Sequence, residues 1–340
     1  MATKSGRTIS SIQDHSIKRL LFRWEFLLIL IFIAVNAMNI SLSPYYLDAY
    51  NLFTNINGFL TKAMVALPMA FILLLGDIDL SVGGNICLSA TILGIVYNAT
   101  DNIMLGILAA IAVGTLCGAL NGLILTKFTE LAPMIVTLAT TTLYRGLSER
   151  ILAGESTKGM RNVEWFAKIY DQRIGPVPVL FIVFCVFALV FGLIMHKTVF
   201  GRQMYAIGAN KKAARYAGIK VQKVRFTVFT LTGFICGLAA MFYCAWMGAV
   251  KSDIAVGYEL EAISMCVLGG ISTAGGKGNL PGAIISIFII GLLRYGLGLI
   301  NLNPQIIRII IGALLILVVM FPNIKQSIQD SIKMKKRAAQ

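Results

Sequence analysis

HKTVFGRQMYAIGANKKAARYAGIKVQKVR, residues 196–225, decides how this chain folds. It carries Lys197, Arg202, Lys211, Lys212, Arg215, Lys220, Lys223 and Arg225, no Asp or Glu, and long apolar runs on both sides. Lys and Arg beside a membrane span resist translocation, so such a basic connection marks the cytoplasmic face and orients everything around it. Asn210 is a good helix N-cap and Gly218 a good C′ stop, which predicts two helical turns between them. Ala213, Ala214 and Ala217 give that helix a small face. It suits either anionic headgroups or the groove of a partner that docks there. No enzyme motif lies in the segment.

The chain of 340 residues is 57% hydrophobic and 13% charged, against roughly 25% charged in a soluble domain. It reads as an all-α membrane protein of about ten spans, each near the roughly 20 residues a bilayer requires. The spans are 25–43, 55–76, 82–98, 103–126, 132–150, 176–195, 226–249, 259–274, 281–300 and 304–321, the third and eighth being short. Charge checks the count. Lys4, Arg7, Lys18, Arg19 and Arg23, the 196–225 segment, and Lys325, Lys333, Lys335, Lys336 and Arg337 all fall on one side only if even numbers of crossings separate them. Residues 1–24 then form a cytoplasmic N-terminal segment, 25–321 the membrane domain and 322–340 a basic cytoplasmic tail. Residues 44–54 and 301–303, without Lys or Arg, are outside turns. The outside loop 151–175 contains Trp165, Phe166 and Tyr170, which predicts a short interfacial helix. Five spans on either side of residue 175 run in opposite senses, the geometry of an inverted repeat. About 24 polar, basic residues before the first span, with no A-x-A site, mark that span as an anchor rather than a cleaved signal.

The net charge of +15 is explained by positive-inside bias and anionic lipid, not by nucleic acid. Cys87, Cys117, Cys185, Cys236, Cys244 and Cys266 lie in apolar runs and form no C-x-x-C pair, so they read as core residues. His15 and His196 are far apart, and no metal site is expected.

Gly114, Gly118 and Gly122 repeat every four residues in the fourth span, and Gly233 and Gly237 do so in the seventh. Small residues at that interval let helix backbones approach closely. GDIDLSVGG, residues 76–84, interrupts the apolar run between the second and third spans. A carboxylate at membrane depth costs about 2.5–3.5 kcal/mol, so Asp77 and Asp79 need a reason. The favoured one is a turn in which Asp79 or Ser81 caps the third helix. A gate or a proton-coupling pair is the functional alternative. GGISTAGGKG, residues 269–278, fails as a Walker A loop because Gly278 follows Lys277 where a hydroxyl is required. It predicts a tight re-entrant turn, and no ATP hydrolysis by this chain. Arg145, Arg294 and Arg308 fall in or near spans, so each must pair, face water or snorkel to an interface.

Residues 198–219 resemble the cytoplasmic signature of ribose-type ABC importer permeases. Three further stretches agree: 76–84, near the family's G-I-D-L-S-V-G turn; Asn121-Gly122 with 133–138 and Arg145-Gly146-Leu147; and 261–278. The opening Trp24-Glu25-Phe26, Val177-Pro178 and His196-Lys197-Thr198 look closest to the rhamnose and autoinducer-2 permeases. The resemblance implies the transmembrane subunit of a bacterial inner-membrane importer for a small hydrophilic solute, a monosaccharide or a sugar-like signal. It implies a cytoplasmic ABC ATPase binding ATP and magnesium, a periplasmic solute-binding protein and a second permease, identical or related. It places ATPase coupling on Gly201, Arg202, Gly208, Asn210, Ala213, Ala214, Arg215 and Gly218, and a path or gate near Asp77, Asp79, Ser81 and Asn121. Asp77 and Arg294-Tyr295-Gly296 depart from the family, which often has Gly and Asn-Gly there. A proton-coupled transporter using Asp77 and Asp79, or a passive channel, is the alternative.

Overall fold

Apolar helices dominate the computed structural model, which describes residues 24–303 and, after them, 305–307, 309–314, 316 and 320. In order they are α1 (Trp24–Leu42), α2 (Ala49–Leu74), α3 (Val82–Thr100), α4 (Ile103–Lys127), α5 (Pro133–Leu152), α6 (Glu164–Asp171), α7 (Val179–Lys197), α8 (Val199–Ala209), α9 (Lys211–Tyr216), α10 (Val221–Met247), α11 (Tyr258–Leu268) and α12 (Leu280–Leu299). A short antiparallel hairpin pairs β1 (Arg173–Ile174) with β2 (Val177–Pro178). Local chemistry sets the boundaries. Asp48 accepts from Tyr50 N–H to open α2, and Asn102 accepts from Met104 and Leu105 N–H to open α4. Pro133 sits in the first turn of α5, where its missing N–H costs nothing. Gly248, at φ 69°, closes α10.

α2 is the central element, buried almost throughout from Phe59 to Leu74. Trp24 fixes the start of α1 by donating from Nε1 to Leu268 O at 3.0 Å. The outer surface is apolar, with Leu30, Ile33, Leu116 and Leu189 exposed, as a bilayer solvent requires.

Among the described residues seven helices, α1–α4, α7, α10 and α12, are long and apolar enough to cross a membrane. α5 has the length but carries Arg145, Glu149 and Arg150. The expected eighth span, 259–274, ends at Leu268 because Gly270 turns the chain at φ 87°. α11 has 11 residues, a rise of about 16 Å, short of the roughly 30 Å hydrocarbon core. The outside turn 44–54 also ends early, since α2 begins at Ala49. The interfacial helix within 151–175 is present as α6, with Phe166 and Tyr170 buried and Trp165 exposed. The basic segment is more ordered than expected. It contains α8, capped by the Thr198 hydroxyl, besides the expected α9, and its last residues already belong to α10. Cys185 is exposed, not a core residue. The N-terminal basic cluster, the tail from 322, His15, Arg308 and part of the tenth span lie outside the described residues.

The two glycine repeats meet each other. α4 packs along α10 through Gly114 and Gly118 against Gly233 and Gly237, where an added Cβ at Gly118 would lie 2.4 Å from Phe229 O. Gly118→Val is expected to pry the two helices apart and destabilise the protein by roughly 1–3 kcal/mol, read as a lowered thermal midpoint of the detergent-purified chain. An unchanged midpoint would show that the two backbones do not depend on this contact.

Candidate coupling junction

Asn210 opens α9 by accepting from Lys212 N–H and Ala213 N–H, each at 3.0 Å. Gly218, at φ 83°, closes it. Ile219 N–H donates to Ala214 O and Gly218 N–H to Arg215 O, the paired bonds of a Schellman stop. Ala214 packs inward, whereas Lys212, Ala213, Arg215, Ala217 and the 92% exposed Tyr216 face outward. A stiff, basic knob results.

The knob is fastened to the membrane helices at three places. Gly201 sits in the corner between α7 and α8, where a Cβ would stand 2.1 Å from Met195 O. Gly208 lies between the end of α2 and the 269–278 turn, and Gly276 N–H donates to Leu74 O across that seam at 2.8 Å. Tyr205 adds a hydroxyl bond to Gly278 O at 2.7 Å. The third fastening is ionic. Lys211 Nζ reaches Asp77 Oδ1 at 2.9 Å, and Arg225 Nε holds Asp77 Oδ2 while its Nη1 donates to Leu125 O at 2.7 Å. Asp77 is 1% and Arg225 7% exposed.

The rest of the 76–84 turn is satisfied by its own residues and by side chains of α4 and α5. Asp79 Oδ1 accepts from Ser81 N–H at 2.8 Å and from the Ser81 hydroxyl at 2.6 Å. Asn121 Nδ2 donates to Ser81 Oγ at 2.7 Å. Thr141 Oγ1 donates to Leu80 O, and Leu80 N–H donates to Thr137 Oγ1. The predicted cap of α3 is therefore absent: Ser81 occupies the N-cap position, but its side chain is engaged by Asp79 and Asn121. Asp77, Asp79, Ser81 and Asn121 are all buried inside this network, and none lines the cavity of about 940 Å³ between α2, α10, α11 and α12. Arg202, placed with the coupling residues, is exposed on α8.

The family described as "Branched-chain amino acid transport system / permease component" matches residues 51–319. The chain belongs to this permease family. The L-arabinose transport system permease protein AraH of Escherichia coli (strain K12) is 33% identical to it over 272 residues, 80% of this chain and 82% of its own length. The autoinducer 2 import system permease protein LsrD of Yersinia enterocolitica is 34% identical over 279 residues, 80% and 83% of the two chains. That of Klebsiella pneumoniae is 29% identical over 306 residues, 89% and 92%. No solved structure matches. The resemblance to ribose-type ABC importer permeases is borne out. The permease is a multi-pass membrane protein and its role is transport.

The fold of this permease adds charged residues that the sequence reading left without a role. Lys62 Nζ contacts both oxygens of Glu261, at 3.1 and 3.0 Å, and Arg294 Nη2 donates to Glu261 Oε1 at 2.9 Å. A charge inside each of three apolar runs was the available signal. Their convergence was invisible because they are far apart in sequence. Arg145 donates to Ile254 O and Ala255 O at 3.0 and 3.1 Å, the carbonyl pairing expected of a membrane guanidinium.

Proposed function

We propose that this permease is the membrane subunit of an ATP-driven importer in a bacterial inner membrane, working with a cytoplasmic ABC ATPase, a periplasmic solute-binding protein and a second permease. Ten crossings, cytoplasmic termini and inverted halves belong to the same reading. The solute is a monosaccharide or a sugar-like signal such as autoinducer 2, by analogy with the arabinose and autoinducer 2 relatives. ATP and magnesium bind in the partner.

The observation that carries this reading is the junction of α9 with the membrane helices. A push on the exposed face of α9 cannot be absorbed locally, because Asn210 and Gly218 lock both of its ends. It passes through Lys211 to Asp77 and the α2–α3 turn, through Gly208 to Leu74, and through Gly276 to the α11–α12 connection. ATP-driven closure of the partner thereby biases one arrangement of the spans over the other. A proton-coupled mechanism is poorly served here, since both Asp77 oxygens are already held by cations.

Proteoliposomes holding the permease, its ATPase and the binding protein test the reading with radiolabelled L-arabinose and autoinducer 2. Uptake is expected to require ATP and binding protein and to ignore a protonophore. Uptake that survives ATP depletion and collapses with the protonophore would overturn it, and flux without any ATPase would indicate a channel.

A further inference from the structure

A cavity of about 940 Å³ opens between α2, α10, α11 and α12, within the roughly 300–1,000 Å³ of small-molecule sites. It lies at the far end of α10 from Arg225. On that helix Arg225 precedes the cavity residue Trp246 by nearly six turns, so the cavity and the coupling junction stand about 30 Å apart along its axis.

The depth of the cavity is polar and its side is aromatic. Glu261 sits between Lys62 and Arg294, each side chain partly exposed at 23%, 15% and 33%. The Lys62 ammonium lies 4.7 Å above the Tyr258 ring. Trp246 stacks on Tyr170 at 5.7 Å, meets Tyr243 edge-on at 5.8 Å and keeps 40% of its surface exposed at the cavity wall.

This chemistry selects among solutes. The charged lining residues are Lys62, Lys251 and Arg294 against Asp253 and Glu261, so opposite signs nearly cancel and no strong field favours an ion. Lys62 and Arg294 only donate hydrogen bonds and an ionised Glu261 only accepts. Both kinds of partner are fixed within about 3 Å of each other, the spacing of neighbouring hydroxyls, which donate and accept alike. Aromatic faces cover the C–H surface of such a molecule.

We propose that this cavity is a low-affinity transit site for a neutral, polyhydroxylated solute, with Lys62, Glu261 and Arg294 bonding its hydroxyls and Trp246 and Tyr258 covering its apolar face. It rests on the reading of the chain as an importer of sugar-like solutes.

The test uses the full chain in nanodiscs, with Trp24→Phe and Trp165→Phe leaving Trp246 as the sole indole. L-arabinose, D-ribose and L-leucine are titrated through the millimolar range while Trp246 emission is followed. A saturable response to a sugar is expected. Glu261→Gln should raise its half-saturation concentration about tenfold, the loss of one charge-assisted hydrogen bond. Arg294→Lys keeps the charge but loses the planar fork and should raise it several-fold. It serves as the second reading where Glu261→Gln does not fold. No saturable sugar response, or half-saturation unchanged in both variants, overturns the proposal even while ATP-driven uptake by the parent complex continues. A response to L-leucine alone overturns the polyol assignment. A sugar response retained in a complex that lacks ATP-driven uptake supports the site and counts against the importer reading instead.

Discussion

Gly208→Ala is expected to abolish uptake and lower the thermal midpoint, although it adds one methyl group. The new Cβ would lie 1.9 Å from Leu74 O and 2.3 Å from Gly276 N. Both are backbone atoms, so no rotamer relieves the clash. Either α8 must move away from the seam, or the Gly276 N–H to Leu74 O bond that joins the α2 end to the 269–278 turn must open to admit the methyl group. The stability loss should reach the upper end of the roughly 1–3 kcal/mol typical of overpacking. Gly218→Ala is the contrast. An added Cβ there meets nothing within 4 Å, and only the φ of 83° penalises it, by about 1–2 kcal/mol. It should loosen the end of α9 and lower uptake, but by less than Gly208→Ala does. Thermal unfolding in detergent and ATP-driven uptake in proteoliposomes measure both. Parental behaviour of Gly208→Ala would mean that the three-way seam does not carry the stroke.

Asp77→Ala should cost roughly 3–5 kcal/mol, the usual effect of removing one partner of a buried pair. It strips Arg225 of its carboxylate and leaves that nearly buried guanidinium with Leu125 O alone. The double variant Asp77→Leu with Arg225→Met should recover much of the stability, because apolar replacement of a whole buried pair is often neutral. Lys211→Ala separates stability from coupling. Lys211 is about half exposed, so its pair contributes at most about 1 kcal/mol, yet it is the ionic tie between α9 and the α2–α3 turn. Uptake should fall far more than the thermal midpoint. Equal losses in both would reduce Lys211 to a surface charge. Asp77→Asn abolishing a protonophore-sensitive flux with no change in midpoint would revive the proton-carrier alternative.

The sequence by itself determined the membrane class, the placement of most spans, the close-packing glycine faces of α4 and α10 and both ends of α9. Each depends on residues close together along the chain: apolar runs near the bilayer length, Gly at four-residue spacing, Asn210 and Gly218 around one short helix. Residues 76–84 were legible as a costly polar break. That Asp77 binds Lys211 and Arg225, that Ser81 serves Asp79 and Asn121 instead of capping α3, and that Glu261 gathers Lys62 and Arg294 were decided by tertiary structure alone. Those partners lie 33 to 199 residues apart or compete with a local cap, and a buried charge takes whichever opposite charge packing delivers to it. The end of α11 combines both causes: Gly270 supplies the left-handed stop locally, and Leu74 and the end of α8 hold the 269–278 turn that follows it.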